Sequence, residues 1–341
     1  MMRPPAGDGV AGGCRPRSPG PRKGGCSIFA MTTPRRVISL LPSATEIVAA
    51  VGCLDRLVGR SHECDFPEAA RALPVLTRPR VALDGDSAAI DRRVKAAVAD
   101  ALAVYQVIED RLQALSPDLI VTQSRCEVCA VSLDEVERAV SRFAGRAVDI
   151  VSLEPASLAD VREDIRRVGR ALGAEAAAAS AIAAMDARIE RVRARASALD
   201  RRPTVACLEW IDPPMSAGSW LPEMAAMAGG RDLFGIAGEP SAELAWDDLA
   251  RADPDAIVLM PCGFDLARTR AEARTLSAKP GWARLKAVRG GRVYATDGSA
   301  YFNRPGPRLA DSMEMLAEIL HPEAFRFGYG VSEGGAGWAA L

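Results

Sequence analysis

Two clusters in this 341-residue sequence carry side chains that do chemistry. The run Ser61-His62-Glu63-Cys64-Asp65-Phe66-Pro67 sets an imidazole, a thiol and two carboxylates within four positions, in a chain with two histidines. Such a set can hold a metal or bond a polar ligand; the plainer alternative is a loop histidine with an ordinary hydrogen bond. The run Ser124-Arg125-Cys126-Glu127-Val128-Cys129 contains Cys-x-x-Cys. That spacing lets two thiolates face one metal, or one thiol attack the other's disulfide. No second Cys-x-x-Cys follows, so a closed zinc or cobalt site would have to join Cys126 and Cys129 to His62 and Cys64. Ligand contact, redox exchange and simple packing stay open for the pair.

Four further loops carry binding chemistry. In Leu41-Pro42-Ser43-Ala44-Thr45-Glu46, the Ser43/Glu46 spacing is that of a capping box, and Ser43, Ala44 and Thr45 can also offer backbone amides to a ligand. Glu209-Trp210 and the following Trp220 suit the face of a large flat ligand, since a tryptophan buries roughly 150–250 Å2. The same two rings can instead pin two domains together. Cys262-Gly263-Phe264 forms a short turn-like run. Tyr301-Phe302-Asn303-Arg304, fixed by Pro305-Gly306-Pro307, combines ring stacking with amide and guanidinium donors, unless the arginine only ties the loop down.

These loops need a scaffold that brings them together. From Arg36, short apolar runs alternate with amphipathic stretches, the βαβ rhythm of a parallel sheet. Strands are expected at VISLL, at Asp118 to Thr122 and at Val148 to Ser152, with helices at Leu133 to Phe143 and Ser157 to Leu172. Ala174 to Leu199 reads as one helix of roughly 26 residues, about 39 Å long, enough to join two domains. After Pro203 the rhythm restarts with TVACLEW, DAIVLMP and RVYAT, and a last helix spans Arg308 to Leu320. The reading is two Rossmann-like α/β lobes: an N-terminal extension over 1–34, a lobe over 35–172, a linking helix over 173–202, a second lobe over 203–322 and a patternless tail over 323–341. In open parallel sheets ligands bind beyond the strands' carboxyl ends, and every loop above lies at such an end.

Composition narrows the function. A net charge of -1 lacks the basic excess of nucleic-acid binding, and no apolar run is long enough to embed the chain in a membrane. P-loop, G-x-G-x-x-G, G-x-S-x-G and H-E-x-x-H motifs are absent, so a binding protein without catalytic residues is expected rather than an enzyme. No apolar signal region precedes Cys14 or Cys26, which predicts a cytoplasmic chain; a periplasmic or extracellular place follows if the true start lies elsewhere.

Taken in order, VISLLPSATEIVAAVG, HECDFP, SPDLIVTQ, LEWIDPPMSAG and YFNRPGPRL resemble the cobalamin-binding proteins of the helical-backbone substrate-binding family, over Arg36 to Leu320. The resemblance implies two α/β lobes joined by one rigid helix, a cobalamin or related corrinoid as ligand in the inter-lobe cleft, and little closure on binding. It also implies ligand contacts from the Ser43-Ala44-Thr45 loop, His62 to Asp65, Trp210, and Tyr301 to Arg304. An ABC permease is the implied partner. The chain departs from the importer pattern where Ser219 replaces a histidine, and where Ala226 stands in place of a docking glutamate, with Glu223 three residues earlier. CEVC and PCGFD resemble a subgroup without signal peptides. Haem, a siderophore or another metal chelate are alternative ligands for the same cleft, and a thiol/histidine metal or redox protein is the alternative function.

Overall fold

The computed structural model describes residues 33–100, 104–123, 133–141 and 147–341. The first lobe runs β1 (Val37–Ser39), α1 (Pro42–Ala50), β2 (Leu57–Arg60), β3 (Thr77–Pro79), α2 (Ser87–Ala99), β4 (Tyr105–Val107), α3 (Glu109–Leu115), β5 (Leu119–Gln123), α4 (Leu133–Ser141), β6 (Asp149–Leu153) and α5 (Leu158–Ala171). Its main sheet has the order β2-β1-β5-β6, parallel throughout. Helix α6 (Glu175–Ser197) leads into the second lobe. There follow β7 (Thr204–Trp210), β8 (Met215–Ser216), α7 (Leu221–Met227), β9 (Arg231–Asp232), β10 (Ala242–Glu243), α8 (Trp246–Ala252), β11 (Ala256–Leu259), α9 (Leu266–Glu272), α10 (Arg274–Ser277), α11 (Lys286–Arg289), β12 (Val293–Thr296), α12 (Leu309–Leu320) and β13 (Trp338–Ala340). The second sheet has the order β10-β8-β7-β11-β12-β13, with β9 also on β7.

Local chemistry starts the helices. Ser157 caps α5: its hydroxyl accepts from the Asp160 N–H at 3.2 Å and donates to the Asp160 carboxylate at 2.8 Å. Helix α6 has strong helix formers along its length and buries Ala178, Ile182, Met185, Ile189, Val192 and Ala196, one stripe at three- and four-residue spacing. Gly169 in α5 makes room for it, since a Cβ there would lie 2.4 Å from that of Ala178.

Both lobes feed one apolar cluster. Alternate residues of β1 (Val37), β5 (Leu119, Val121), β7 (Val205, Cys207) and β11 (Ala256, Val258) join α1, α5, α6, α7 and α12 in it. The opposite strand faces, Ile38 and Ile120 in one lobe and Ala206, Leu208, Ile257 and Leu259 in the other, pack into separate outer clusters. The lobes are thus two sheets with a shared helical backing.

Two stretches that the sequence reading left unassigned take on regular structure. Between β2 and β5 the chain makes an excursion in which β3 and β4 pair antiparallel and α2 projects from them. The stretch after Pro322 contributes β13, which pairs antiparallel with β12 and closes the sheet's edge. Within the shared backing, the α5 carboxylate Asp164 is 5 % exposed and accepts from Arg167 Nη1 at 3.1 Å. Burial pushes its carboxyl up to about 6, beyond what Arg167 offsets. Between 3.8 and about 6 the folded chain therefore holds a proton that the unfolded chain releases, and stability falls as pH rises through that window. Asp164→Asn is expected to stabilise the protein by about 2 kcal/mol near pH ~8 and by nothing near pH ~3.5, read from urea midpoints; an equal gain at both would contradict this.

Candidate functional site

The carboxyl ends of β1, β2 and β12 meet at the seam between the lobes. Leu41, with extended backbone, is the N-cap of α1, and Pro42 takes the first helical position that its fixed φ favours. The expected Ser43/Glu46 capping box therefore does not form. Ser43 lies inside the helix, buried, with its hydroxyl unpartnered, and Glu46 reaches across the seam instead. Its carboxylate accepts from Arg308 Nε at 2.8 Å, from Arg308 Nη2, and from Arg304 Nη1 at 3.3 Å; Arg304 also donates to Asp65. Glu46 and Arg304 are 2 % and 5 % exposed in their side chains. Burial works against the charge of both arginines, but the Asp65 and Glu46 carboxylates hold Arg304, and the Glu46 carboxylate holds Arg308, above the ordinary range. Burial likewise opposes the Asp65 charge, and Arg304 outweighs it, so that carboxyl is held low. The Arg308 guanidinium lies 4.1 Å from the Phe66 ring and 5.1 Å from that of Tyr301, and Phe66 keeps 45 % of its surface exposed. We call this ionic assembly the clasp.

The loop after β2 is ordered by its own polar groups. His62 Nδ1 lies 2.7 Å from Thr77 Oγ1, and the His62 ring stands 5.0 Å from that of Tyr105. Its Nε2 is buried without a hydrogen-bond partner, and burial lowers the imidazole's proton affinity, which favours the neutral ring. The Tyr105 hydroxyl donates to Glu63 at 3.1 Å, and burial raises that carboxyl.

Several expected contacts turn out to be scaffold. Ala44 and Thr45 are fully buried, and the Thr45 hydroxyl donates to Ser39 Oγ at 2.8 Å. Cys64 is fully buried against Ser61 Oγ at 3.1 Å, and burial pushes the thiol up. Phe302 is a core residue held at φ 22° by Trp220 Nε1 on its carbonyl (2.8 Å) and Ser312 Oγ on its N–H (3.1 Å). That bond also turns Trp220 toward the second lobe's own loop. Phe264 is 2 % exposed, under the Arg268 guanidinium at 3.8 Å. Asn303 spends its amide donors on the Met260 and Gly298 carbonyls, and Glu209 accepts from Ser241 Oγ at 2.6 Å with its carboxyl raised by burial. Trp210, Tyr301 and Cys262 stay half-buried, and Gly263 turns the chain at φ +76°. Cys126, Glu127 and Cys129 lie outside the described residues. Among the described residues no three or more His, Cys, Asp or Glu side chains are grouped to hold a metal ion.

A second bridge crosses the seam from α2, and the sequence reading missed it. Glu272 of α9 accepts from both the N–H and hydroxyl of Ser87, each at 2.7 Å. Arg268 donates to the Leu83 and Gly85 carbonyls at 3.1 Å, Trp210 Nε1 to the Ser87 carbonyl at 3.3 Å, and Lys95 pairs with Glu243. The only local signal was Asp86, whose side chain caps α2 by accepting from the Ala89 N–H at 2.7 Å.

The fold recurs in known proteins. The periplasmic binding protein family profile matches residues 37–300. An uncharacterized ABC transporter substrate-binding lipoprotein of Bacillus subtilis is 23 % identical over 298 residues, 86 % of this chain and 82 % of that one. A vitamin B12-binding protein of Pectobacterium atrosepticum is 22 % identical over 298 residues, covering 85 % and 90 %. The crystal structure of a periplasmic heme-binding protein from Pseudomonas aeruginosa superposes with a TM-score of 0.64 at 22 % identity, covering 85 % and 94 %. The expectation of a cytoplasmic chain is overturned by this kinship: the matching family is that of periplasmic binding proteins, and the similar proteins include a substrate-binding lipoprotein and a periplasmic heme-binding protein. The chain belongs to the periplasmic binding protein family.

Proposed function

We propose that this substrate-binding protein carries a cobalamin-type corrinoid at the inter-lobe seam and delivers it to an ABC permease. The observation that carries this reading is the seam itself. Two lobes on one shared backing turn their strand ends toward each other and present half-exposed rings, Trp210, Phe66 and Tyr301, beside buried polar groups. Rings of that size suit a broad flat macrocycle, and the relative named for vitamin B12 aligns over 85 % of this chain.

One observation favours a second reading, a haem-type chelate. His62 is fixed through Nδ1, burial favours its neutral form, and its Nε2 makes no hydrogen bond, with Glu63 Oε1 4.0 Å away; these are properties of an axial ligand to iron. Titration of the full chain with cyanocobalamin, dicyanocobinamide and hemin, followed by absorption, separates the two. Saturable one-to-one binding of a corrin, unchanged in His62→Ala, is expected. Hemin binding that His62→Ala abolishes would establish the second reading, and silence with all three probes would overturn both.

A further inference from the structure

We propose that the α2 excursion is a flap that opens and closes over the seam, admitting ligand while the clasp keeps the lobes fixed. This rests on the reading that ligand is held at the seam. The two bridges across that seam differ in kind. The clasp lies against the shared backing: Phe302 and Leu309 of its loop belong to that cluster, and a Cβ on Gly306 would lie 3.7 Å from the Ser43 carbonyl. Its Glu46, Arg304 and Arg308 side chains are 2 %, 5 % and 15 % exposed, so parting them would strand a guanidinium or a carboxylate in an apolar setting.

The α2 bridge has the opposite character. Of the thirteen residues of α2 only Ser87, Ile90 and Ala97 are buried, and a single half-buried side chain, Val94, packs against the first lobe's outer apolar cluster. Its contacts to the second lobe are half-buried hydrogen bonds and one exposed ion pair, all between polar groups that water can solvate once they part. Its root is firm: Arg80 donates its N–H to the Val104 carbonyl at 2.8 Å and pairs with Glu135 at 2.9 Å, and β3 pairs with β4. Beyond the root, Gly85 sits at φ +91° in the loop that Arg268 holds, a conformation open to glycine. A weakly packed helix on a fixed root, latched by polar bonds to the opposite lobe, is a unit that opens alone.

The test uses the full chain with Glu272→Ala and Arg268→Ala, singly and together. In hydrogen exchange of the ligand-free protein, amides of residues 87–99 are expected to exchange at least about 100-fold faster than those of α5 and α6, and faster still in the variants. With cyanocobalamin or hemin as probe, stopped flow is expected to show association and dissociation rates rising together, by about tenfold in the double variant, because a gate alters access more than affinity. Flap amides protected as deeply as α5, or a rise in dissociation alone, would overturn the flap. If neither probe binds, the ligand reading fails and the exchange result alone decides the flap.

Discussion

Glu46→Gln is expected to cost about 3–5 kcal/mol of folding stability, measured by urea unfolding at neutral pH. The glutamine keeps the shape of the side chain but leaves Arg304 and Arg308, 5 % and 15 % exposed, with Asp65 as the remaining carboxylate. Attraction between the partners is not the main source of that loss. Desolvating the charges cancels most of the pair's favourable energy, so what the variant feels is the Arg308 guanidinium buried without a carboxylate, while Arg304 keeps Asp65. The clasp therefore specifies how the lobes meet more than it adds net stability. A triple replacement of Glu46, Arg304 and Arg308 by apolar residues of similar volume is expected to recover most of the loss. A deficit below about 1 kcal/mol in Glu46→Gln would show that the arginines find water and that the clasp is not closed.

Arg188→Met is expected to cost about 3 kcal/mol in the same measurement. Arg188 ties α6 to α12: its Nε donates to Glu314 at 3.0 Å and its Nη2 to Asp311, Glu314 and the Tyr329 hydroxyl. Tyr329 donates in turn to Asp311 at 2.8 Å and Glu314 at 3.0 Å, and burial beside those carboxylates pushes its hydroxyl well above the ordinary range. Without the arginine, two carboxylates that are 17 % and 6 % exposed face each other and a phenol. Adding Glu314→Gln to Arg188→Met is expected to restore about half the loss, since one stranded charge is removed. A double variant no more stable than the single one would place the cost in lost packing of the arginine stem.

The fold was legible wherever its signals were local. Ser157, the apolar stripe of α6 and the run before Gln123 announce a cap, a helix and a buried strand within a few residues of each other, and α5, α6 and β5 lie within one or two residues of expectation. The seam was legible only as a set of loops. Glu46 carried a local capping pattern, yet its partners stand 258 and 262 positions away, and buried charge won over the cap. Tyr301 and Phe302 are neighbours of the same kind, and nothing local says which ring enters the core. The α2 bridge was invisible because its latch, Glu272 on Ser87, spans 185 residues and uses ordinary surface types.

The single apolar cluster under both sheets has a consequence for how the chain comes into being. Val37, Leu119 and Ile165, written in the first half, share that cluster with Met313, Leu316 and Leu320, written near the end. The first lobe cannot finish its interior during synthesis, because part of that interior leaves the ribosome last. Each half has an outer cluster of its own, but the shared one stays incomplete until the α12 residues have been made. The interior that the halves share is expected to close late and all at once, when α12 has emerged.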